Sequence, residues 1–173
     1  MDCKTFTLSV CLIVRDEKET IARVLECAKK FADEIIVVDT GSTDGTKEIA
    51  KSYTEKVFDF EWCDDFSKAR NFSFSKATCD YQMWLDADDV ISEENIQKIL
   101  TLKTSGIDFD VCMCKYAQNF DENGNPHFLF NRERILKRSK NFTWSGRVHE
   151  VIIPSGKIIN SDIVIEHRKI KQN

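Results

Sequence analysis

The strongest constraint in this sequence is an alternation of apolar runs with helical spacing. LSVCLIV (8–14) is an unbroken apolar run. It is followed by ETIARVLECAKKF, where Ile21, Leu25 and Ala28 fall at helical spacing with Val24 beside them. EIIVVD (34–39) leads into STDGTKEIAKSY, where Ser and Thr are available as helix caps. KVFDF (56–60) precedes the helical SKARNFSFSKA. YQMWLD (81–86) precedes SEENIQKILTL, whose Ser92, Glu94 and Asn95 make a good helix start. Apolar runs without polar alternation are expected of strands buried on both faces. Short strands alternating with helices predict parallel pairing through right-handed crossovers. Residues 1 to about 105 are therefore expected to form an α/β unit, an open, mostly parallel sheet flanked by helices.

Beyond residue 105 the pattern changes. DVCMCKY, HFLFN, ERILKR, RVHEVII and IINSDIVIEH read as strands, with DENGNP (121–126) as a turn between two of them. Residues 106–173 are expected to be a strand-rich part packed on one end of the same domain. A chain of 173 residues suffices for one domain of ordinary size, and a 42% hydrophobic content can fill its core. The net charge of −4 offers no bulk attraction to nucleic acid or to an anionic membrane. No apolar run is long enough to span a bilayer, and MDCKTFTLSV has no stretch suited to a signal peptide. Seven cysteines, an odd number without a CxxC pair, point to reduced thiols in a cytoplasmic protein. Cys112 and Cys114 share a face of a strand but cannot supply four zinc ligands.

The chemistry is expected where the strands end. An open parallel sheet binds ligands beyond the carboxyl ends of its strands, and Asp39 and Asp86 close the second and fourth of them. Asp86, Asp88 and Asp89 put three like charges within four positions, so something must offset their repulsion. If extended backbone continues, Asp86 and Asp88 share a face and suit a hard divalent cation, Mg²⁺ or Mn²⁺. The alternative is a solvated acidic turn, with Asp89 near the N-terminus of the next helix.

Spacing excludes several other motifs. A calcium-binding EF-hand loop starting at Asp86 needs Gly and Glu where Ile91 and Gln97 stand. A GxGxxG loop should follow the first strand, and RDEKE stands there instead. No GxxxxGK[ST] occurs. A phosphatase with an aspartyl nucleophile wants its Asp pair after an early strand with Thr following; here the pair follows the fourth strand, and Val90 and Ile91 come next.

Three stretches together resemble the family 2 glycosyltransferases of GT-A fold. They are VCLIVRDEKETIARVLECAKKFADEIIVVDTGSTDGT, FSKARNFSFSKATCDYQMWLDADD and WSGRVHE. The likeness covers residues 6–105, and WSGRVHE resembles a later segment of one branch of that family. It implies a nucleotide-sugar donor, usually UDP-linked, a divalent cation, and an acceptor that is a glycan, a protein or a lipid-linked group. It places Val14 and neighbouring backbone beside the base, and Asp39 on the uracil imide or its surroundings. Asp86 would lie near ribose or metal, Asp88 would be the main metal ligand, and Arg70 of ARN would sit near the nucleotide and its phosphates. The chemistry agrees. Breaking the anomeric C–O bond leaves negative charge on a diphosphate, which a cation and a charge-assisted bond from Arg70 stabilise.

His149 of GRVHE is expected as a further metal or phosphate contact. Glu150, next along a regular strand, would then face the other way unless a bend intervenes. Inverting transfer needs a base for the acceptor hydroxyl. The acidic pair that many family members carry for this beyond the DxD has no clear counterpart, so Glu150 is the base candidate, ahead of Asp162 and Glu166. Blander readings stand beside these: an Asx turn for Asp39, a surface ion pair for Arg70, core packing for Trp62 and Phe66. His127 and His167 receive no assignment. Two rival functions remain. One is a donor-binding module of a longer protein, since relatives often carry further domains such as helical repeats. The other is a nucleotidyltransferase, which would want a Gly-rich loop in place of RDEKE.

Overall fold

The computed structural model describes residues 5–169, so Cys3 and the rest of the first and last four positions lie outside the described residues. The four predicted runs form β1 (Leu8–Val14), β2 (Glu34–Asp39), β3 (Val57–Asp59) and β4 (Tyr81–Trp84). They stand in the order β3-β2-β1-β4, all parallel. The intervening helices are α1 (Ile21–Ala28), α2 (Thr46–Tyr53) and α3 (Phe66–Ser75), with α4 (Glu93–Thr104) after β4. α1 buries Ile21, Val24, Leu25 and Ala28, one stripe of an amphipathic helix. Asp65 caps α3 by accepting from Lys68 N at 3.2 Å, and Ser92 caps α4 by accepting from Asn95 N at 3.4 Å. α2 starts differently from the Ser/Thr cap expected. Gly45 holds the cap position at φ +98°, and Asp44 Oδ1 accepts from Thr46 N at 2.9 Å.

The second half extends the same sheet. β5 (Asp89–Val90), β6 (Val111–Phe120), β7 (Pro126–Lys137) and β8 (Ile158–His167) complete the order β3-β2-β1-β4-β7-β6-β8-β5. β7 runs antiparallel to both β4 and β6, β8 parallel to β6, and β5 antiparallel to β8. The sheet is thus parallel through its first four strands and mixed beyond them. HFLFN and ERILKR, read as two strands, are one. The turn before them is closed by Asp121, whose Oδ1 accepts from Asn123 N at 2.9 Å and Asn125 N at 2.7 Å. RVHEVII is not a strand. Gly146 and His149 adopt left-handed backbone, φ +102° and +57°, which turns the chain back so that only the Ser145–Val151 bridge forms.

The core lies on both faces of the sheet. Leu8, Val10, Leu12 and Val14 of β1 pack in one cluster with residues of α1 and α4. Cys11, Ile36 and Val38 pack in a second cluster with Phe74 of α3, Trp84 and Trp144. This two-sided burial is the reason the strand runs lack polar alternation. None of the described helices is long and apolar enough to cross a membrane.

Candidate active site

A cavity of about 760 Å³ opens beyond the carboxyl ends of β1, β2 and β4, at the switch point where chain order reverses across the sheet. Val14, Arg15, Glu17 and Thr40 line it from the ends of β1 and β2, Asp86, Ala87 and Asp88 from the end of β4, and Tyr116, Arg132 and His167 from the later strands. Trp62, Phe66 and Val148 stand with them, and Phe66 and Val148 are exposed. The Trp62 and Phe66 rings meet edge to face at 4.8 Å.

The backbone leaves β4 after Trp84 and turns through Ala87 and Asp88 before β5 begins at Asp89. Each acid of the cluster therefore has its own surroundings. Asp86 Oδ1 accepts from Arg70 Nη2 at 2.8 Å. Burial alone would raise the Asp86 carboxyl, but Arg70 and Arg134 outweigh it and hold it at about 2. Asp88 Oδ1 lies 3.1 Å from His167 Nδ1. Asp89 is buried, 3.0 Å from Arg134 Nη1, and is not the exposed helix-start charge of the alternative reading. Hydrogen bonds to Asp88 and Asp89 raise the His167 imidazole to about 9 despite its partial burial. His167 and Arg134 stand against the aspartates, and a cation held by His167 would need its neutral ring. Across the cleft, burial pushes Glu17 up. Thr20's hydrogen bond opposes this, while the carboxylates of Asp88, Asp86 and Asp44 add to it.

One ligand atom each from Asp86, Asp88, Asp89 and His167 can lie within 4.8 Å of the others. Carboxylate oxygens with one imidazole suit a hard divalent cation such as Mn²⁺ or Mg²⁺. The histidine in this group is His167, which the sequence left unassigned. His149, expected as a ligand, lines the cleft outside the group because its left-handed backbone sits in the 144–150 loop.

Arg70 joins the two halves of the site. Its Nε donates to Glu150 Oε1 at 2.6 Å while Nη2 holds Asp86. The guanidinium lies 5.0 Å from the Trp84 ring and 4.8 Å from that of Trp144. Burial works against its charge, but the Asp86 and Glu150 carboxylates prevail and raise its pKa further. Arg70 is buried, unlike the surface pair considered for it. Glu150 lines the cleft beside His149, because the bend removes the strand alternation that would have separated them. One Glu150 oxygen is committed to Arg70, so this base candidate enters the site already bound. Next along α3, Asn71 clips the same loop by donating to Trp144 O at 2.9 Å and accepting from Trp144 N at 2.8 Å. Asp39 forms the Asx turn, with Oδ1 accepting from Gly41 N at 3.0 Å and Ser42 N at 2.9 Å. Its Oδ2 is buried and finds no partner among the described residues.

The profile of glycosyl transferase family 2 matches residues 9–168. The chain belongs to that family. The glycosyltransferase SunS encoded by the SPbeta prophage of Bacillus subtilis is 31% identical over 148 residues, 84% of this chain and 35% of that protein. This family 2 chain spans between 20% and 35% of the length of the first curated relatives it matches. In fold it is similar to residues 1–349 of S. aureus TarS, with a TM-score of 0.67 and 18% identity over 94% of this chain and 60% of that one. Glucosyl-3-phosphoglycerate synthase from Mycobacterium tuberculosis, crystallised with Mn²⁺ and UDP-glucose, gives a TM-score of 0.54 at 22% identity over 64% of this chain and 44% of that one.

Sequence reasoning on the family 2 segments missed Tyr116, Arg134, Asn71 and His167. A signal existed for one of them. Arg134 sits inside the apolar end of ERILK, and a charge in a buried strand requires a buried partner. Nothing in IVIEH distinguishes His167 from an ordinary edge-strand histidine.

Proposed function

We propose that the cleft binds a nucleotide-sugar donor, UDP-linked, and that the protein transfers its sugar with inversion to an acceptor hydroxyl. The observation that carries this is the group of Asp86, Asp88 and His167 at the switch point of a parallel sheet in a family 2 chain. The donor set fits Mn²⁺ or Mg²⁺, held by Asp88, Asp86 and His167 and supplying positive charge to the diphosphate leaving group. Val14 and Thr40 would border the base; Asp39, buried beside Thr40 and outside the cleft lining, would shape that wall through its turn rather than touch the base. Arg70 would donate to the phosphates from a position fixed by two tryptophan rings. His149 would stand beside the phosphates from the 144–150 loop. Residues 1–105 would serve the donor and residues 106–173 the acceptor side. The six described cysteines are all unpaired, in keeping with a reducing cytoplasm.

A second reading rests on Glu150. A carboxylate already bound to a guanidinium is a poor base, which favours a donor-binding module that needs another part of a longer protein for transfer. Release of UDP from a panel of UDP-sugars with Mn²⁺ tests both readings. Turnover with one donor, abolished in Asp88→Ala, supports the transferase. Calorimetric binding of UDP and Mn²⁺ without release from any donor supports the module. If Asp88→Ala bound UDP in Mn²⁺ as well as the wild type does, the metal assignment would fall.

A further inference from the structure

We propose that Asp89, although it lies within the metal-ligand group, is not a ligand but the anchor that pre-organises the metal loop, with Arg134 as its fixed counter-charge. The inference rests on the metal reading above. The side chains of Asp86 and Asp88 keep 26% and 14% of their surface and line the cleft, whereas that of Asp89 keeps none and does not line it. Both Asp89 oxygens are already filled. Oδ2 accepts from Asp86 N at 3.0 Å and from Arg134 Nη1 at 3.0 Å. Oδ1 accepts from Tyr116 Oη at 3.0 Å and lies 3.4 Å from His167 Nδ1. Turning Oδ2 to an ion would take it from Asp86 N and from the buried Arg134, and breaking a buried ion pair is costly.

Arg134 could not follow such a movement. Its guanidinium lies 3.4 Å from the Trp84 ring and 4.2 Å from the Tyr116 ring, and Nη1 also donates to Trp84 O at 3.0 Å. Nε and Nη2 have no partner, so among the described residues Asp89 is the one carboxylate at ion-pair distance from this charge. Asp89 thereby fixes the backbone of one ligand residue, Asp86, and the ring of another, His167, while cancelling a positive charge that would repel the incoming cation. Partners of this kind set metal affinity without touching the metal.

The test is Mn²⁺ titration by electron paramagnetic resonance with UDP present. Asp89→Asn is expected to bind Mn²⁺ about 10–100-fold more weakly, yet to give the wild-type spectrum once saturated. Asp88→Asn should change that spectrum. Adding Arg134→Met to Asp89→Asn should recover part of the lost affinity by removing the stranded charge. An Asp89→Asn spectrum altered as in Asp88→Asn, or no recovery in the double variant, would overturn the anchor role. Should Asp89→Asn fail to fold by circular dichroism, Arg134→Lys, which weakens the hold on Asp89 from a position outside the cleft lining, carries the test. Several-fold weaker binding with an unchanged spectrum supports the anchor, and unchanged affinity overturns it. A wild-type protein that bound no Mn²⁺ would overturn the proposed function and this inference together. Tight wild-type binding with an altered Asp89→Asn spectrum would overturn the anchor alone.

Discussion

Arg70 shows how much of this site depends on one geometry. A planar guanidinium reaches Asp86 with one nitrogen and Glu150 with another while lying against two indole rings. An ammonium has neither the fork nor the flat face. Arg70→Lys is therefore expected to keep the fold but to lower UDP-sugar turnover at least about tenfold, a loss of about 1.4 kcal/mol or more of transition-state stabilisation. Steady-state UDP release measures it. Glu34 is the residue whose charge matters at the opposite end of the sheet. It accepts from Thr78 N at 2.9 Å and Thr78 Oγ1 at 2.8 Å, and also from Ser9 Oγ and the Lys56 ammonium. Burial would raise its carboxyl, but Lys56, Ser9 and Thr78 outweigh burial and hold it at about 2, below its ordinary 4.5. A depressed folded-state value stabilises the fold above the unfolded value, and that stability is lost as pH falls through the folded value. Glu34→Gln should therefore cost about 1–2 kcal/mol near neutral pH, allowing for screening at half-exposed Lys56, and the gap should close toward about pH 2. Urea melts of both proteins across pH measure this.

At the scale of elements, α3 links the two halves of the site. Arg70 and Asn71, neighbours on that helix, hold Glu150 and Trp144 at the two ends of one loop. Asn71→Ala removes two hydrogen bonds and leaves Trp144 N unpaired in a part-buried place. The expected cost is about 1–3 kcal/mol, with faster amide exchange confined to residues 144–151. Exchange mass spectrometry would show it, and a uniform rise over the whole chain would contradict the local role. The helices and first four strands were legible because each is announced by its own residues: a 3.6-residue stripe in α1, a capping serine before α4, an apolar run for β1. RVHEVII misled because its hydrophobic spacing does suit a strand. The left-handed turn at His149 comes from the clip and ion pair that hold the loop, and these involve residues some 70–80 positions away.

At the scale of the whole molecule, one sheet runs from β3 to β5, so the first four strands and the later strands share hydrogen bonds and core. Leu12→Ala, at a fully buried position of β1, is expected to cost about 2–5 kcal/mol. It should shift a single unfolding transition seen alike by tryptophan fluorescence and far-UV circular dichroism. Two separable transitions would show that the halves fold apart. The order of the later strands was not legible, because pairing between β4 and β7 or between β5 and β8 leaves no periodic trace in either partner. That same non-local pairing hid His167, which meets the acids only because Asp89 pairs with it across β5 and β8.

Because the last strand of the sheet brings that imidazole, a nascent polypeptide has all three acids long before the site can close. While β8 is still in the ribosomal tunnel, Asp88 and Asp89 lack their histidine and β5 lacks its neighbour. On the proposed metal reading, the pocket would therefore mature late in synthesis, only once His167 has paired with Asp89.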